Sequence, residues 1–496
     1  MEKLDEIIKK YKKEFKNNSE LKVRRFKALD REFALLYLES FSDFDIVSKD
    51  IILPLMQYNE KPQKSNLIIN NQNTYFEILN FIVENVLYAC DTTISKSFKS
   101  NVLKISRGQK LLLCENVEEG ILIDSKKVEK RAIVEPPTNN IIRGPREGFI
   151  EDIKTNINLI RKRLVTSDLK IDEMEIGRYT KTKIAICSIT SIADKKVLKK
   201  IKERLSKIDI DGVIDSYYLQ DFLEEKPNSI FKQIGYCEKP DILVAKMLEG
   251  RIGIIVDGSP IVLTLPFLLI EDLQNSEDYY ENNNKVTFIR LLRVFGLIVA
   301  LITPGLYIAL QLYHLRALPL KFLTTIMNSS QNIPMPPAIE VLFAFFMFEI
   351  LYEASIRTPK GLGSSFNIIG ALILGDTAVK SNLSSAPTIM IVALSSIALY
   401  LLPETTGVLR LLRLGLTLLG AMLGLLGIII GIFFISAYLN DFDSYGVAYL
   451  SPVSPYISND YKDFILKKNL KKMNTRPLGF NQKNLTRMGE DNANKN

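Results

Sequence analysis

Two long uncharged stretches decide the architecture of this chain. Val294–Tyr313 reads VFGLIVALITPGLYIALQLY, and Leu414–Leu439 reads LGLTLLGAMLGLLGIIIGIFFISAYL. Neither contains Asp, Glu, Lys or Arg. A bilayer core about 30 Å thick is crossed by roughly 20 apolar residues in a helix. Both stretches therefore predict membrane-embedded helices within a block that runs from Val286 to Leu439.

Three further segments between them are candidates for membrane helices. Pro337–Ile356 is apolar but carries Glu340, Glu349 and Glu353, Gly361–Val379 is short and rich in small residues, and Ser385–Leu402 is uncharged. The count is four or five, depending on whether the small-residue segment crosses or only re-enters. We expect an α-helical transmembrane domain of about five membrane helices.

The composition separates this block from a soluble first half. The chain has 496 residues, of which 47% are hydrophobic, and the first 285 have the mixed character of soluble domains. Its first residues are charged and lack the apolar core of a signal peptide, so we expect a cytoplasmic soluble part. The spacing of Cys90, Cys114, Cys187 and Cys237 fits neither a zinc site nor a disulfide framework, which favours reduced, buried thiols.

The net charge of +8 raises the question of a partner. Basic residues do not gather with aromatic ones into one soluble patch, so nucleic acid is not expected. Several follow the last apolar stretch instead, where juxtamembrane Lys and Arg usually stay cytoplasmic and meet anionic membrane lipid. A solvated tail is an equally good interpretation. The basic residues are Lys462, Lys467, Lys468, Lys471, Lys472 and Arg476.

Alternation and turn residues predict a two-part α/β cytoplasmic region. We place an N-terminal α/β subdomain at 1–133, a second α/β subdomain at 134–285 beginning with the linker 134–140, the transmembrane domain at 286–439 and a basic C-terminal tail at 440–496. In the first part the pattern predicts a helix over Lys3–Phe15, a strand over Phe33–Leu38 and a hairpin from Lys110–Cys114 and Gly120–Ile123.

The second part alternates between strand and helix patterns. Asp257-Gly258-Ser259-Pro260 is typical of a hairpin turn and is not a phosphate-binding loop. Strands are expected at Lys183–Ile189, Gly212–Ser216, Arg251–Val256 and Ile261–Thr264, and helices at Ala193–Ile208, Tyr218–Glu224 and Lys239–Glu249.

A charged motif precedes a predicted amphipathic helix. Phe149 to Leu164 place apolar residues at three- and four-residue steps, with Glu147 in the expected first turns. Arg143 and Arg146 at the helix start could hold an anion or a partner's carboxylate, which would make an assembly motif. Pairing with acids of their own domain is the alternative.

The sequence shows no recognisable set of catalytic residues. The single histidine, His314, stands at the end of the first apolar stretch, where an isolated histidine is more often interfacial than catalytic. The soluble half has no nucleophile–base set, metal-ligand cluster or carboxylate dyad at helical spacing. We therefore expect no enzyme activity, no cofactor and no metal.

Several motifs in a fixed order carry a family resemblance. The motifs are Arg143–Phe149, Asn156–Arg163, Tyr179–Lys183, Val256–Pro260, Leu263–Pro266, Ser276–Tyr280, Ile369–Asp376 and Gly446–Pro452. With them, roughly from Val134 to Pro455, the chain resembles the A subunits of spore nutrient germinant receptors, the GerA family. After His314 it departs from the family pattern, with Leu315-Arg316 where Pro-Glu is expected.

The resemblance implies one subunit of a three-part receptor in the spore inner membrane. Its partners would be a transporter-like B subunit that binds the nutrient and a lipoprotein C subunit. The A subunit would form a homo-oligomeric ring, expected to be a pentamer, whose helices make an ion channel opened by the nutrient.

One helix face in the membrane block suits such a pore. Six residues share this face because they follow the first of them at offsets of 3, 4, 7, 11 and 14 positions. They are Gly363, Phe366, Asn367, Gly370, Leu374 and Thr377. The face is narrow and mildly polar, and Phe366 or Leu374 could form a hydrophobic gate. Small residues also let membrane helices pack closely, so packing alone is the competing interpretation.

Charged residues mark a second candidate region. Glu349, Glu353 and Arg357 step by four along one face, whereas Glu340 lies nearly opposite. Glu353 and Arg357 can pair at i, i+4, which leaves Glu349 for an inter-subunit contact or a cation-attracting vestibule. Together with these features, the family resemblance implies a nutrient-gated channel subunit. A transporter subunit, for which no internal repeats are visible, or a scaffold without its own pore is the alternative.

Overall fold

A computed structural model of the chain describes residues 2–29, 31–42, 47–58, 74–87, 91–124, 143–357, 375–480 and 482–488. In these residues two five-stranded antiparallel sheets come first, a group of long apolar helices follows, and the C-terminal segment returns to the second sheet. The linker 134–140 lies outside the described residues.

The first sheet has the strand order β1-β2-β4-β5-β3. Its central strand β2 reads as a continuous apolar run because alternate residues enter two cores. Phe33 and Leu35 pack on one face, and Ala34, Leu36 and Leu38 on the other. The predicted first helix, the strand at 33–38 and the β4–β5 hairpin are confirmed, whereas β1 and β3 were missed. The elements are α1 (Glu2–Glu14), β1 (Leu21–Ala28), β2 (Arg31–Leu38), α2 (Leu53–Tyr58), α3 (Thr74–Phe81), β3 (Asp91–Ser95), α4 (Phe98–Ser106), β4 (Lys110–Cys114) and β5 (Gly120–Asp124).

The second sheet has the order β6-β7-β9-β10-β8. The predicted hairpin is present, with Leu263 opposite Ile254, and most of the predicted helices are found. The strand predicted at Gly212–Ser216 is wrong, because Asp215 caps a helix there and its carboxylate accepts from Tyr217 N. The elements are α5 (Ile153–Arg163), β6 (Leu169–Ile176), β7 (Thr182–Ile189), α6 (Lys195–Ser206), α7 (Ser216–Leu223), β8 (Gly235–Cys237), α8 (Pro240–Leu248), β9 (Ile252–Val256) and β10 (Val262–Leu265).

A buried ion pair joins the two sheets. Arg161 of α5 donates from Nε to Glu20 Oε2 at 2.9 Å, and both side chains are almost fully buried. Beside it, Asn18 donates to the carbonyl of Leu169 at 3.1 Å and Ser19 to that of Ile171 at 2.9 Å. Because a buried charge without its partner is costly, this contact fixes how the two sheets meet.

Three cysteines are free and buried, as expected: Cys114, Cys187 and Cys237. Burial raises the pKa of the Cys114 thiol to about 11 and that of Cys237 to about 12, so both remain protonated. Cys90 lies outside the described residues.

The helical region has two described stretches long and apolar enough to cross a membrane. They are Asn283–Tyr313 and Pro403–Asn440, and neither is mostly buried within the chain. Five such helices are not found in the described residues. Pro337–Arg357 contains three carboxylates, Ala386–Leu399 has only 14 residues, and most of Gly361–Val379 lies outside them. The helices are α9 (Asn283–Tyr313), α10 (Leu320–Ser330), α11 (Pro337–Arg357), α12 (Ala386–Leu399) and α13 (Thr406–Asn440).

Helix α13 folds back on itself at Gly424, where φ is 64° and ψ is −145°. In a continuous helix, Leu416 and Gly431 would be about 22 Å apart. Here a Cβ on Gly431 would lie 2.6 Å from the Leu416 side chain. The second uncharged stretch is therefore two antiparallel arms and not one straight span, which corrects the sequence prediction.

Both ends of α13 lie beside the soluble sheets. One apolar cluster contains residues of both arms together with Phe231 and Phe267 of the soluble part. The first arm contributes Val408 and Leu412, and the second contributes Ile435 and Leu439. At the opposite end, the hydroxyl of Tyr313 donates to the carbonyls of Ala421 (3.0 Å) and Met422 (2.9 Å) beside the turn. Helix α9 thus runs from the soluble sheets to the tip of the α13 hairpin.

The described C-terminal residues 441–480 and 482–488 pack on the second sheet and the base of α9. Tyr445 joins the core under that sheet, and Tyr449 donates to the carbonyl of Lys232 at 2.8 Å. A short antiparallel ladder pairs Ser444 with Val447.

Candidate functional site

Arg290 stands where the soluble sheets, helix α9 and the C-terminal segment meet. Asn282 caps α9, and Arg290 lies two turns inside with only 1% of its surface exposed. Its Nε donates to Asp278 Oδ2 at 2.9 Å, and its Nη1 to Asp463 Oδ1 at 2.8 Å and to the carbonyl of Phe464 at 2.7 Å. One guanidinium therefore links all three parts, and we call this set the Arg290 junction.

Neighbouring groups complete the junction. Arg293 donates to Asp278 Oδ2 at 2.9 Å, and the ammonium of Lys467 donates to the carbonyl of Asp278. Tyr279 donates to Asp463 Oδ2 at 2.7 Å, and burial raises the pKa of its hydroxyl well above the ordinary value. The network is buried and its carboxylates are closely paired, whereas Arg290 Nη2 has no hydrogen-bond partner in the described part of the chain. The paired carboxylates suit a mechanical connection better than reversible chemistry.

A cavity of about 570 Å³ lies beside the junction. Helix α8, the segment after β10, the base of the membrane helices and the C-terminal segment each contribute to its wall. Any movement of the membrane helices against the soluble sheets would change its shape. Its charged lining residues include Asp241, Lys246, Glu271, Asp272, Arg293, Glu404 and Arg487.

Lys232 bridges the cavity wall to the membrane helices. Its ammonium lies 2.8 Å from Glu404, just before α13, and 3.4 Å from Asp272. Burial raises the pKa of Asp272 to about 6. Repulsion by Glu404 and Glu271 acts in the same direction, and the attraction of Lys232 opposes both effects only in part. Glu271 differs, because Arg251 at 3.0 Å and Lys246 at 2.8 Å overcome its burial and hold its pKa at about 2. The pKa of Asp272 is therefore closer to neutrality than that of Glu271.

The predicted charged residues of the membrane block occupy three separate places. Glu340 is buried and accepts from the backbone N and hydroxyl of Ser385, at 2.6 and 2.7 Å, where α12 begins. Glu353 pairs with Arg357 at 2.7 Å, as its spacing predicted, and both are exposed. The three carboxylates form no single cluster.

Glu349 has partners that the sequence analysis missed. Its carboxylate lies 3.3 Å from Arg410 and 3.3 Å from Arg413, both on the first arm of α13. It is therefore satisfied within the chain. No local signal pointed to this pairing, although the tetrapeptide Arg-Leu-Leu-Arg occurs at Arg290–Arg293 and again at Arg410–Arg413, and in the structure both copies bind carboxylates.

The predicted pore face lies mostly outside the described residues. Gly363, Phe366, Asn367, Gly370 and Leu374 are not among them, and Thr377 is described and exposed. A short helical segment at 375–380 carries the exposed pair Asp376–Lys380 at 2.6 Å.

The charged motif before α5 differs from its prediction. The helix begins at Ile153 and not at Phe149, because Asp152 caps it with a 2.7 Å hydrogen bond from Thr155 N. Glu147 therefore lies outside the helix and accepts from Lys162 (3.0 Å) and Arg163 (2.5 Å) at its far end. These bonds outweigh the effect of burial and hold the pKa of Glu147 below its usual range. Arg143 and Arg146 are exposed.

Comparisons with known proteins agree on one family. The model of the Bacillus/Clostridium GerA spore germination protein family matches residues 9–478. Spore germination protein KA of Bacillus subtilis (strain 168) is 32% identical over 489 residues, covering 98% of this chain and 88% of that protein. GerQA of Bacillus cereus is 35% identical over 378 residues, covering 76% of each, and the uncharacterized membrane protein YfkQ of B. subtilis is 36% identical over 404, covering 81% and 79%.

Among solved structures, a similar chain is the N-terminal domain of the A subunit of the Bacillus megaterium spore germinant receptor GerK3. It is 28% identical and aligns with a TM-score of 0.40 over 53% of this chain and 93% of that one. The family match over residues 9–478 agrees with the motif resemblance, and the chain belongs to the GerA family of spore germinant receptor A subunits.

Proposed function

We propose that this subunit forms a nutrient-gated ion channel that triggers germination. It would sit as a multi-pass protein in the spore inner (cytoplasmic) membrane, with its N-terminal sheets in the cytoplasm. A homo-oligomer, expected to be a pentamer, would line the pore. A transporter-like B subunit would bind the nutrient, and a lipoprotein C subunit would complete the receptor. The chain itself would catalyse no reaction.

The channel proposal rests on two exposed ion pairs that flank the predicted pore face in the sequence. Glu353 and Arg357 are 57% and 78% exposed before it, and Asp376 and Lys380 are 56% and 74% exposed at its end. Charges near a membrane core usually face water, protein or a partner charge. Glu340 and Arg413 are buried instead. Exposed charge at both ends of a mildly polar, small-residue sequence supports contact with water or another subunit there.

The Arg290 junction supports coupling between the soluble sheets and such a pore. Arg290 is bonded to the segment before α9 and to the C-terminal segment, and Lys232 reaches the start of α13. A displacement of the soluble sheets would therefore reach two membrane helices through short polar contacts, of which the Arg290–Asp278 contact is buried.

The test is cation flux through the purified receptor in liposomes, measured together with the amount of assembled complex. We expect Phe366→Ala to widen the constriction and cause leak, and Gly370→Leu to reduce flux with the complex intact. Met390→Ala and Gly415→Leu are the matched controls. Met390 is 56% exposed on α12, and a Cβ on Gly415 meets no atom within 4 Å.

The scaffold alternative predicts a different result. If the small-residue face only packs against other helices, both test variants should lower the amount of complex and leave the flux per remaining complex unchanged. That outcome would refute the pore assignment for this face.

A further inference from the structure

Two arginines of α13 share one carboxylate in the membrane block. Arg410 Nη1 lies 3.3 Å from Glu349 Oε2, and Arg413 Nη2 lies 3.3 Å from Glu349 Oε1. In the described part of the chain, neither arginine has a second carboxylate within 4.0 Å. The site therefore carries a net positive charge next to an apolar environment.

The two arginines are not equivalent. Arg413 is 4% exposed, donates to the hydroxyls of Ser395 (3.2 Å) and Ser396 (3.1 Å), and lies over the ring of Phe345. Arg410 is 21% exposed, and its described contacts are Glu349 and the face of Tyr352 at 3.5 Å. Arg413 is thus fixed within the protein, whereas Arg410 can reach a ligand from outside.

The position of Arg410 is that of a headgroup contact. It follows Glu404, which is bound to Lys232 of the soluble part, by six residues, or roughly 9 Å of helix. Tyr352 stacks on Tyr400 with ring centroids 5.8 Å apart, and Tyr400 is 55% exposed. Tyrosines gather where bilayer and water meet, and nearby Ile397 and Leu411 are 63% and 57% exposed. Surroundings of this kind are typical of the boundary between headgroups and acyl chains.

We propose that Arg410 binds the phosphate of an anionic phospholipid in the leaflet next to the soluble sheets. A guanidinium matches a phosphate in shape and charge, and basic recesses between membrane helices on this side of a bilayer are suited to anionic headgroups. The C-terminal lysines are a separate matter, because Lys467 is already bonded to the carbonyl of Asp278. The proposal does not depend on whether the subunit forms a pore.

The test measures lipid retained by the purified full-length protein, using phosphatidylglycerol and phosphatidylcholine of the same acyl chains. We expect the wild type to retain phosphatidylglycerol preferentially and Arg410→Gln to weaken that preference about fivefold. Arg178→Gln is the control. It removes an exposed arginine that is paired with Asp209 and lies beside the second sheet, away from the apolar helices.

A second variant gives the opposite sign. Glu349→Gln removes the carboxylate that competes with the lipid phosphate, so we expect it to strengthen phosphatidylglycerol retention. A purely structural role for the ion pair predicts that both variants lose stability together. Equal retention of the two lipids by the wild type, or weaker phosphatidylglycerol retention in Glu349→Gln, would overturn the proposal. Dissociation of an oligomer by both variants with unchanged lipid content would also overturn it, since the face would then be a subunit contact.

Discussion

The fold-back of α13 depends on glycines, and Gly427→Ala is the sharpest perturbation of it. A Cβ at Gly427 would lie 2.8 Å from the carbonyl carbon of Leu419 and 2.9 Å from the Cβ of Leu423. Leu419 belongs to the opposite arm, and part of the obstacle is its backbone, so no rotamer change can relieve the overlap. We expect the substitution to push the two arms apart.

The magnitude follows from two opposing effects. Overpacking of a close contact costs about 1–3 kcal/mol. Replacing glycine by alanine inside a helix stabilises it by about 0.5–1 kcal/mol. Gly415→Ala is the matched control, because a Cβ there meets nothing within 4 Å and only the stabilising effect remains. The two variants should therefore differ by about 1–3 kcal/mol, with opposite signs relative to wild type.

Thermal unfolding of the detergent-purified protein measures this difference. For a region of this size, each kcal/mol shifts Tm by roughly 2–4 °C. Gly427→Ala should also make the C-terminal segment more sensitive to protease, because the second arm leads directly into that segment and places it beside the soluble sheets. If Gly427→Ala and Gly415→Ala unfold at the same temperature, the two arms do not pack as described.

Three further predictions concern the soluble part and the junction. Arg161→Met should destabilise the protein to denaturant by about 3–5 kcal/mol because Glu20 is left buried and unpaired, whereas Arg178→Met, whose partner Asp209 is exposed, should have a much smaller effect; equal effects would contradict the importance of burial. The folded-state pKa of Asp272 is raised from its ordinary value of 3.8 to about 6, so the stability it contributes is fully present below about pH 4 and is lost as pH rises to about 6; Asp272→Asn should flatten the pH dependence of Tm between about pH 4 and 6, and an unchanged profile would count against it. Arg290→Met should uncouple nutrient addition from cation flux while the complex still assembles, and normal coupling would contradict the role of the junction.

Local sequence patterns were sufficient to predict an element of structure where residues close in the sequence determine it. The strand at Phe33–Leu38, the β9–β10 hairpin and the Glu353–Arg357 pair were predictable because a continuous apolar run, turn chemistry and helical spacing, respectively, determine them. Edge strands were harder. Strand β1 reads LKVRRFKA, and its buried residues stand mainly at its two ends, so it has no clear period.

Long-range pairing is what the sequence could not supply. Glu349 was expected to need an outside partner, but its partners follow 61 and 64 residues later on another helix. Gly424 is one of several glycines in an apolar run, and nothing local distinguishes a chain reversal from close helix packing. Asp278 and Asp463 gave no signal because they stand 185 residues apart in the sequence and are brought together only by folding around their common partner, Arg290.

The fold-back also removes a conflict in the sequence reasoning. Five straight spans would place the lysine-rich C-terminal segment opposite the N-terminal sheets, against the usual preference of Lys and Arg for the cytoplasmic face. Because α13 reverses at Gly424, its last residues return to Phe231, whose ring stacks on Tyr438 at 5.7 Å. The lysines then emerge beside the soluble sheets, and Lys467 reaches Asp278 directly. One glycine with a positive φ thus allows the C-terminal segment to close the Arg290 junction, which a straight final helix would carry to the other side of the membrane.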